Sequence, residues 1–260
     1  MKLIKIEINL KLKLIKVMMF KSNIFSSISK YDTNCYMINF QCKQNCYCEK
    51  TDYGIRKICF DKDLYLHETT MYLNLLLKKA NITPLISAIK ENEIIYSMSD
   101  YISLRKCLGK QKNIYVLLNE IFCFVNSFQK YNFVHGNLHI DNIFIKYNDN
   151  KIKHIHIIDL SNSYLTDDSN ICSNYKRTSF LEEYESKSDT DENIKYWDFF
   201  SLYVSLNLYF KTCNKYKEYV KNIVINYIGH HHFENLLNKY NYTFYNKNYT
   251  ILKKKYSWNS

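Results

Sequence analysis

Alternation governs the first stretch of the chain. Over residues 6–14, Ile6, Ile8, Leu10, Leu12 and Leu14 interleave with Glu7, Asn9, Lys11 and Lys13. A period of two predicts a half-buried strand. The density of Lys2, Lys5, Lys11, Lys13 and Lys16 also suits a basic membrane-surface segment, although helical spacing is absent. Further strands are predicted between residues 24 and 60, the last of them over 54–60 (GIRKICF). Residues 64–79 change period: Leu66, Met71, Leu73, Leu76 and Leu77 fall at helical spacing, with Glu68 in the early turns. Residues 82–88 and 93–98 read as two strands about a polar turn, and 99–101 as a connector into a helical part beginning at 102–108. The strongest helix covers 114–131, with a stripe of Val116, Leu117, Ile121, Phe124, Val125 and Phe128. Residues 165–194 are polar throughout. Residues 196–210 (YWDFFSLYVSLNLYF) read as a buried helix, and one or two more helices precede a tail rich in Tyr, Asn and Lys.

The candidate chemistry lies in two segments between the predicted helices. The first is FVHGNLHIDNIFIK, residues 133–146; the second is HIHIIDLS, ending at Ser161. Each contains a short apolar strand, 143–145 and 155–158, and the polar turn YNDNK joins them. Such a pair places Asn142 and Asp159 side by side at one mouth. One carboxylate and one amide oxygen there suit a hard divalent cation such as Mg2+.

These segments resemble the catalytic and metal-binding loops of the protein-kinase-like superfamily. In that family HRDxxxxN, or HGDLHxxN in its divergent branches, is followed by a strand pair and then DFG. His135, Gly136, Leu138, His139 and Asn142 match the divergent form, and Asp159 matches the Asp of DFG. Two positions depart. Asn137 stands where the family has its catalytic Asp, and Leu160-Ser161 replaces Phe-Gly.

The resemblance covers roughly residues 24–230. It implies an α+β, bilobal protein-kinase-like fold, with an antiparallel β-rich N-lobe (24–98), a mainly helical C-lobe (99–260) and residues 1–23 as an N-terminal extension or extra strand. It makes Lys57 the nucleotide-clasping lysine, with Lys43 as the alternative in another register. Glu68 becomes its partner on the first helix; read alone, Glu68 equally suits a surface carboxylate in a first helical turn. ATP and Mg2+ are the implied cofactors, with Asn142 and Asp159 holding the metal. Asp198 resembles the aspartate that ties down the catalytic-loop backbone, or else a helix N-terminal acid favoured by the dipole.

Residues 28–37 stand where the family has its Gly-rich phosphate loop, yet Ser29, Tyr31 and Asn34 occupy the three glycine positions. Residues 165–194 match an activation segment in length, with Thr178, Ser179 and Tyr184 as modifiable hydroxyls and 181–184 in place of the APE motif. Asn137 can orient a hydroxyl but cannot accept its proton at neutral pH. The expected function is therefore a pseudokinase or a very weak ATP-dependent Ser/Thr protein phosphotransferase, with His135, Asn137 and Asp159 as the catalytic set. The alternatives are an active atypical Ser/Thr protein kinase and a small-molecule phosphotransferase of the aminoglycoside or choline kinase type.

Composition adds less. The formal net charge of +11 favours acidic partners, including nucleic acid and anionic membranes, beside the protein partner or substrate that the resemblance implies. Lysines are scattered rather than clustered, so charge singles out none of these. Nine cysteines without a secretory signal point to reduced thiols in a cytoplasmic compartment. No apolar run approaches the roughly 20 residues of a membrane span. Cys42, Cys46 and Cys48, flanked by Cys35 and Cys59, are expected in a hairpin tip with spacings that fit zinc poorly. The pairs His135/His139 and His154/His156 are weaker zinc candidates, and the run His230, His231, His232 reads as surface.

Overall fold

The computed structural model describes residues 46–52, 54–110, 113–148, 151–167 and 195–239. These all fall in Asn39–Ser260, one of the two compact units into which the chain divides. The expectations for residues 6–14 and 28–37, for Cys35, Cys42 and Lys43, for Thr178, Ser179 and Tyr184, and for the tail after 239 lie outside the described residues.

The architecture is mixed α/β with antiparallel sheets. Strands β1 (Cys46–Thr51) and β2 (Gly54–Cys59) form a hairpin. Their side chains alternate, so Ile55, Lys57 and Cys59 share the buried face of β2 while Arg56 and Ile58 are part-exposed. With β3 (Ile86–Ile89) and β4 (Glu93–Ser97) they make a four-stranded sheet of order β1-β2-β4-β3. Gly54 opens β2 at φ +145°, and a Cβ there would lie 1.9 Å from the Tyr96 carbonyl oxygen. Only glycine fits so close a backbone approach.

Helix α1 (Lys62–Leu77) starts at Asp61, whose carboxylate accepts from the Asp63 and Leu64 N–H groups at 2.8 and 3.2 Å. Its buried residues are Leu64, Glu68, Thr69, Met71, Tyr72, Leu73 and Leu75, which include the predicted Met71 and Leu73. Leu66, Leu76 and Leu77, predicted from periodicity, are exposed. The buried face includes a carboxylate and leaves some leucines outside, so counting apolar positions alone does not define it. Cys46 and Cys48 lie on β1, with Cys46 opposite Cys59, rather than in a hairpin tip. Alternation in a strand, not a loop, sets their spacing.

The second part begins with β5 (Ile102–Ser103), which pairs with β7 (Ile143–Asn148) before the short helix α2 (Leu104–Leu108). Strand β8 (Lys151–Ile157) completes the sheet β5-β7-β8, with Ile143 opposite Ile157. Helix α3 (Ile114–Asn126) buries Leu117, Leu118, Ile121, Phe122 and Val125 and continues as a 3-10 turn to Tyr131. Val116 is exposed, against expectation. Residues 114–118 are apolar at every position, so composition alone leaves the buried arc undetermined. Strand β6 (Phe133–Val134) pairs with β9 (Tyr164–Leu165) and brackets the polar loop between them. Helix α4 (Trp197–Tyr209) is buried along residues 198–207 and packs on α5 (Asn214–Ile228), followed by α6 (His230–Lys239). No helix among the described residues is long and apolar enough to cross a membrane.

Candidate functional site

Lys57 is 1% exposed at the centre of the four-stranded sheet. Its Nζ lies 2.5 Å from Glu68 Oε2 on α1 and 2.7 Å from Asp159 Oδ1 beyond β8. An unpaired ammonium could not be buried there. Burial works to lower the Lys57 pKa, but the Asp159 and Glu68 charges outweigh it and hold the ammonium well above its usual value. Glu68 is fully buried, and its Oε1 accepts from the Tyr96 hydroxyl at 2.5 Å.

Asp159 sits in the left-handed region at φ +67° and opens a 3-10 turn through Asn162. A short polar side chain tolerates that conformation better than a bulky one. Ser161 Oγ donates to Asp159 Oδ1 at 2.8 Å. Burial works to raise the Asp159 pKa; Lys57 and the Ser161 hydroxyl more than reverse this, so the carboxyl lies well below the usual carboxylate range. Its side chain keeps 27% exposure, whereas Lys57 and Glu68 have almost none.

The loop after β6 is fastened to α4. The Asp198 carboxylate accepts from the His135 N–H at 2.7 Å and the Gly136 N–H at 3.0 Å. Trp197 Nε1 donates to the Gly136 carbonyl at 3.0 Å, Ser201 Oγ to the Leu138 carbonyl at 2.8 Å, and Ser205 Oγ accepts from the Ile140 N–H at 3.1 Å. Positions 198, 201 and 205 share one helix face, which explains how α4 reaches successive loop residues. Burial raises the Asp198 pKa, only partly offset by His135 and the two N–H donors. Gly136 has φ +76°, and a Cβ would lie 2.3 Å from the Asn162 carbonyl oxygen. The loop therefore needs glycine for two reasons, one torsional and one steric.

His135 is fully buried and joins the loop to Asp159. Its Nε2 donates to the Ile158 carbonyl at 3.0 Å, and its Nδ1 accepts from the Asn137 N–H at 3.3 Å. The carbonyl partner assigns that tautomer. Burial lowers its pKa, keeping the ring neutral. Asn142 Nδ2 donates to the Asn137 carbonyl at 3.0 Å, and the Asn142 carbonyl accepts from the Ile158 N–H at 3.1 Å. Asn142, just before β7, and Asp159, just after β8, thus sit at the same end of the paired strands. His139 Nδ1 accepts from the Asp141 N–H at 3.3 Å, and both Asp141 carboxylate oxygens bind Arg105, at 2.5 and 2.6 Å.

All seven predicted site residues therefore fall in one connected arrangement. Lys57, Glu68 and Asp159 form the ion cluster. His135, Asn137, Asn142 and Asp198 form the loop network, and the Ile158 carbonyl links the two. His154 and His156 stack on each other at 5.9 Å on β8, and burial lowers His156 to about 4. Sequence reasoning missed Tyr96, Ser161, Trp197, Ser205 and Arg105. The buried-face alternation of Ile94 and Tyr96 was the one available signal for Tyr96.

No family model matches the chain, and no curated protein matches it. Among solved structures it is similar to the Rio2 kinase-ADP/Mg2+-phosphoaspartate complex from Chaetomium thermophilum, at 14% identity and a TM-score of 0.40, covering 77% of this chain and 72% of that one.

Proposed function

We propose that this is a protein-kinase-like chain that binds ATP with Mg2+ and has lost the proton acceptor of phosphoryl transfer. On this reading residues 24–98 and 99–260 are the two lobes of one domain, 1–23 are an extension or an extra strand, and the protein works as a pseudokinase or very slow Ser/Thr protein phosphotransferase with a protein partner. The observation that carries it is the buried cluster of Lys57 with Glu68 and Asp159. An ammonium held by one enclosed carboxylate and one part-exposed carboxylate suits phosphate oxygens on one side and a cation on the other.

The donor set fits the metal. Asp159 offers a deprotonated carboxylate, and Asn142 commits its amide nitrogen to Asn137, leaving its Oδ1 as the ligand atom. Both are the hard oxygens that Mg2+ takes. When bound, ATP and Mg2+ supply the transferable phosphoryl group and neutralise its charge. Lys57 positions phosphate oxygens, Glu68 orients Lys57, and Asp198 fixes the loop that carries Asn137.

What the loop lacks is a base. The Asn137 amide takes no proton at neutral pH. His135 Nδ1 and His139 Nδ1 each already accept a backbone N–H, and both Asp141 oxygens hold Arg105. Absence of a general base costs about 10²–10⁴ in rate.

Thermal unfolding with ATP and Mg2+ tests the binding. At about 100 times Kd the stabilisation is about 2.7 kcal/mol, a rise of roughly 5–10 °C at this chain length. Asp159→Asn should remove the Mg2+-dependent part. An unchanged midpoint at millimolar nucleotide would overturn the reading. Transfer of γ-phosphate to protein at ordinary kinase rates would make it an atypical kinase, and transfer to an amino alcohol a small-molecule phosphotransferase.

A further inference from the structure

We propose that Tyr96 is a positioning residue for Lys57 and acts through Glu68; this deepens the nucleotide-site reading and rests on it for its functional meaning. Glu68 has no exposed surface, so neither carboxylate oxygen has water to turn to. One oxygen faces Lys57 and the other accepts the Tyr96 hydroxyl at 2.5 Å. A carboxylate is a two-fold rotor about its last bond, and a single cation leaves that rotation open. The second anchor closes it.

The hydroxyl comes from the right place. Tyr96 lies on β4, beside the strand that carries Lys57, with Ile55 opposite Tyr96 and Ile94 opposite Lys57. Ammonium and hydroxyl therefore project from the same face of one sheet onto one side chain of α1. The Tyr96 ring is 2% exposed, so phenylalanine fills the same space and removes only the donor. Burial, with the Glu68 charge beside it, holds the phenol well above its usual pKa, so it remains a donor throughout the neutral range. The Lys57–Glu68 clasp is thus braced by the protein's own hydroxyl.

The test uses the full chain as wild type, Tyr96→Phe, Glu68→Gln and the double variant, all assayed well below their unfolding midpoints. Each is pulsed with N-hydroxysuccinimidyl acetate, and Lys57 acetylation is read by mass spectrometry relative to Lys146 in the same molecules. Tyr96→Phe should raise relative Lys57 labelling about tenfold, the factor produced by losing a hydrogen bond to a charged group. The double variant should label no faster than Glu68→Gln, because the proposed anchor acts on Lys57 through the Glu68 carboxylate. Unchanged Lys57 labelling in Tyr96→Phe, or additive effects in the double variant, would overturn the proposal.

A second arm compares ATP–Mg2+ with adenosine. Tyr96→Phe should weaken ATP about tenfold and leave adenosine unchanged; equal loss for both would reduce Tyr96 to a packing role. If wild type binds no ATP while the labelling pattern holds, the nucleotide reading falls and the positioning role stands.

Discussion

Asp198 offers the sharpest perturbation. Its two carboxylate oxygens receive the N–H groups of His135 and Gly136, and it is 4% exposed. In Asp198→Asn the carbonyl oxygen can still accept one N–H, but the amide nitrogen then faces the other donor. One buried N–H is orphaned, at about 1–3 kcal/mol, and the remaining bond loses its charge assistance. The net destabilisation should be about 2–4 kcal/mol. Asp198→Ala orphans both donors and should cost about 2–6 kcal/mol on the same scale. At about 2–4 °C per kcal/mol for a chain of this size, Asp198→Asn should melt roughly 5–15 °C lower. Urea titration gives the stability, and hydrogen exchange at the His135 and Gly136 amides gives the local effect. Both amides should be protected in wild type and exchange faster in the variant beyond what its global stability explains. A change under about 0.5 kcal/mol, the level of an ordinary surface substitution, with protection intact, would refute the claim that α4 clamps this loop.

Asn137→Asp should raise γ-phosphate transfer by about 10²–10⁴; a variant that binds ATP as wild type does and gains nothing would place the defect elsewhere. Gly136→Ala should destabilise by more than about 2 kcal/mol in urea titration, since φ +76° and the nearby Asn162 carbonyl both oppose a Cβ; near-neutral behaviour would mean the loop relaxes freely. The Asp159 carboxyl is held below its unfolded value, so its contribution is present above about pH 4 and is lost as pH falls further. Acid titration of Asp159→Asn should lack that part of the wild-type decline, and matching curves would remove it. Lys57 is shifted upward, so its contribution is present below about pH 10.4 and is lost only as pH rises through its folded value; Lys57→Met should lack that alkaline loss.

Legibility in the sequence followed locality. Asn142 and Asp159 could be placed together because a short turn joins their strands, and short apolar runs marked both strands. Asp198 was visible as an acid opening an apolar helix. Lys57 was harder, since an alternative register offered Lys43, and strand alternation could not choose between them. Ser161, two residues after Asp159, was read only as a lost glycine, because nothing in its neighbourhood predicts the hydroxyl's direction. Tyr96, Trp197 and Ser205 act across elements, and their partners are set by tertiary packing rather than by spacing. The misplaced Leu66, Leu76, Leu77 and Val116 have the opposite origin: these helices carry more apolar residues than one face needs.

The cluster around Lys57 has one further consequence. It sets a single cation against two carboxylates, and the carboxylate with access to water is Asp159. The enclosed charge is therefore unbalanced toward the negative, and its open edge repels a bare polyphosphate. On the proposed reading, a nucleotide stripped of its divalent ion meets like charge on arrival, so chelation should weaken uptake as well as slow what happens afterwards.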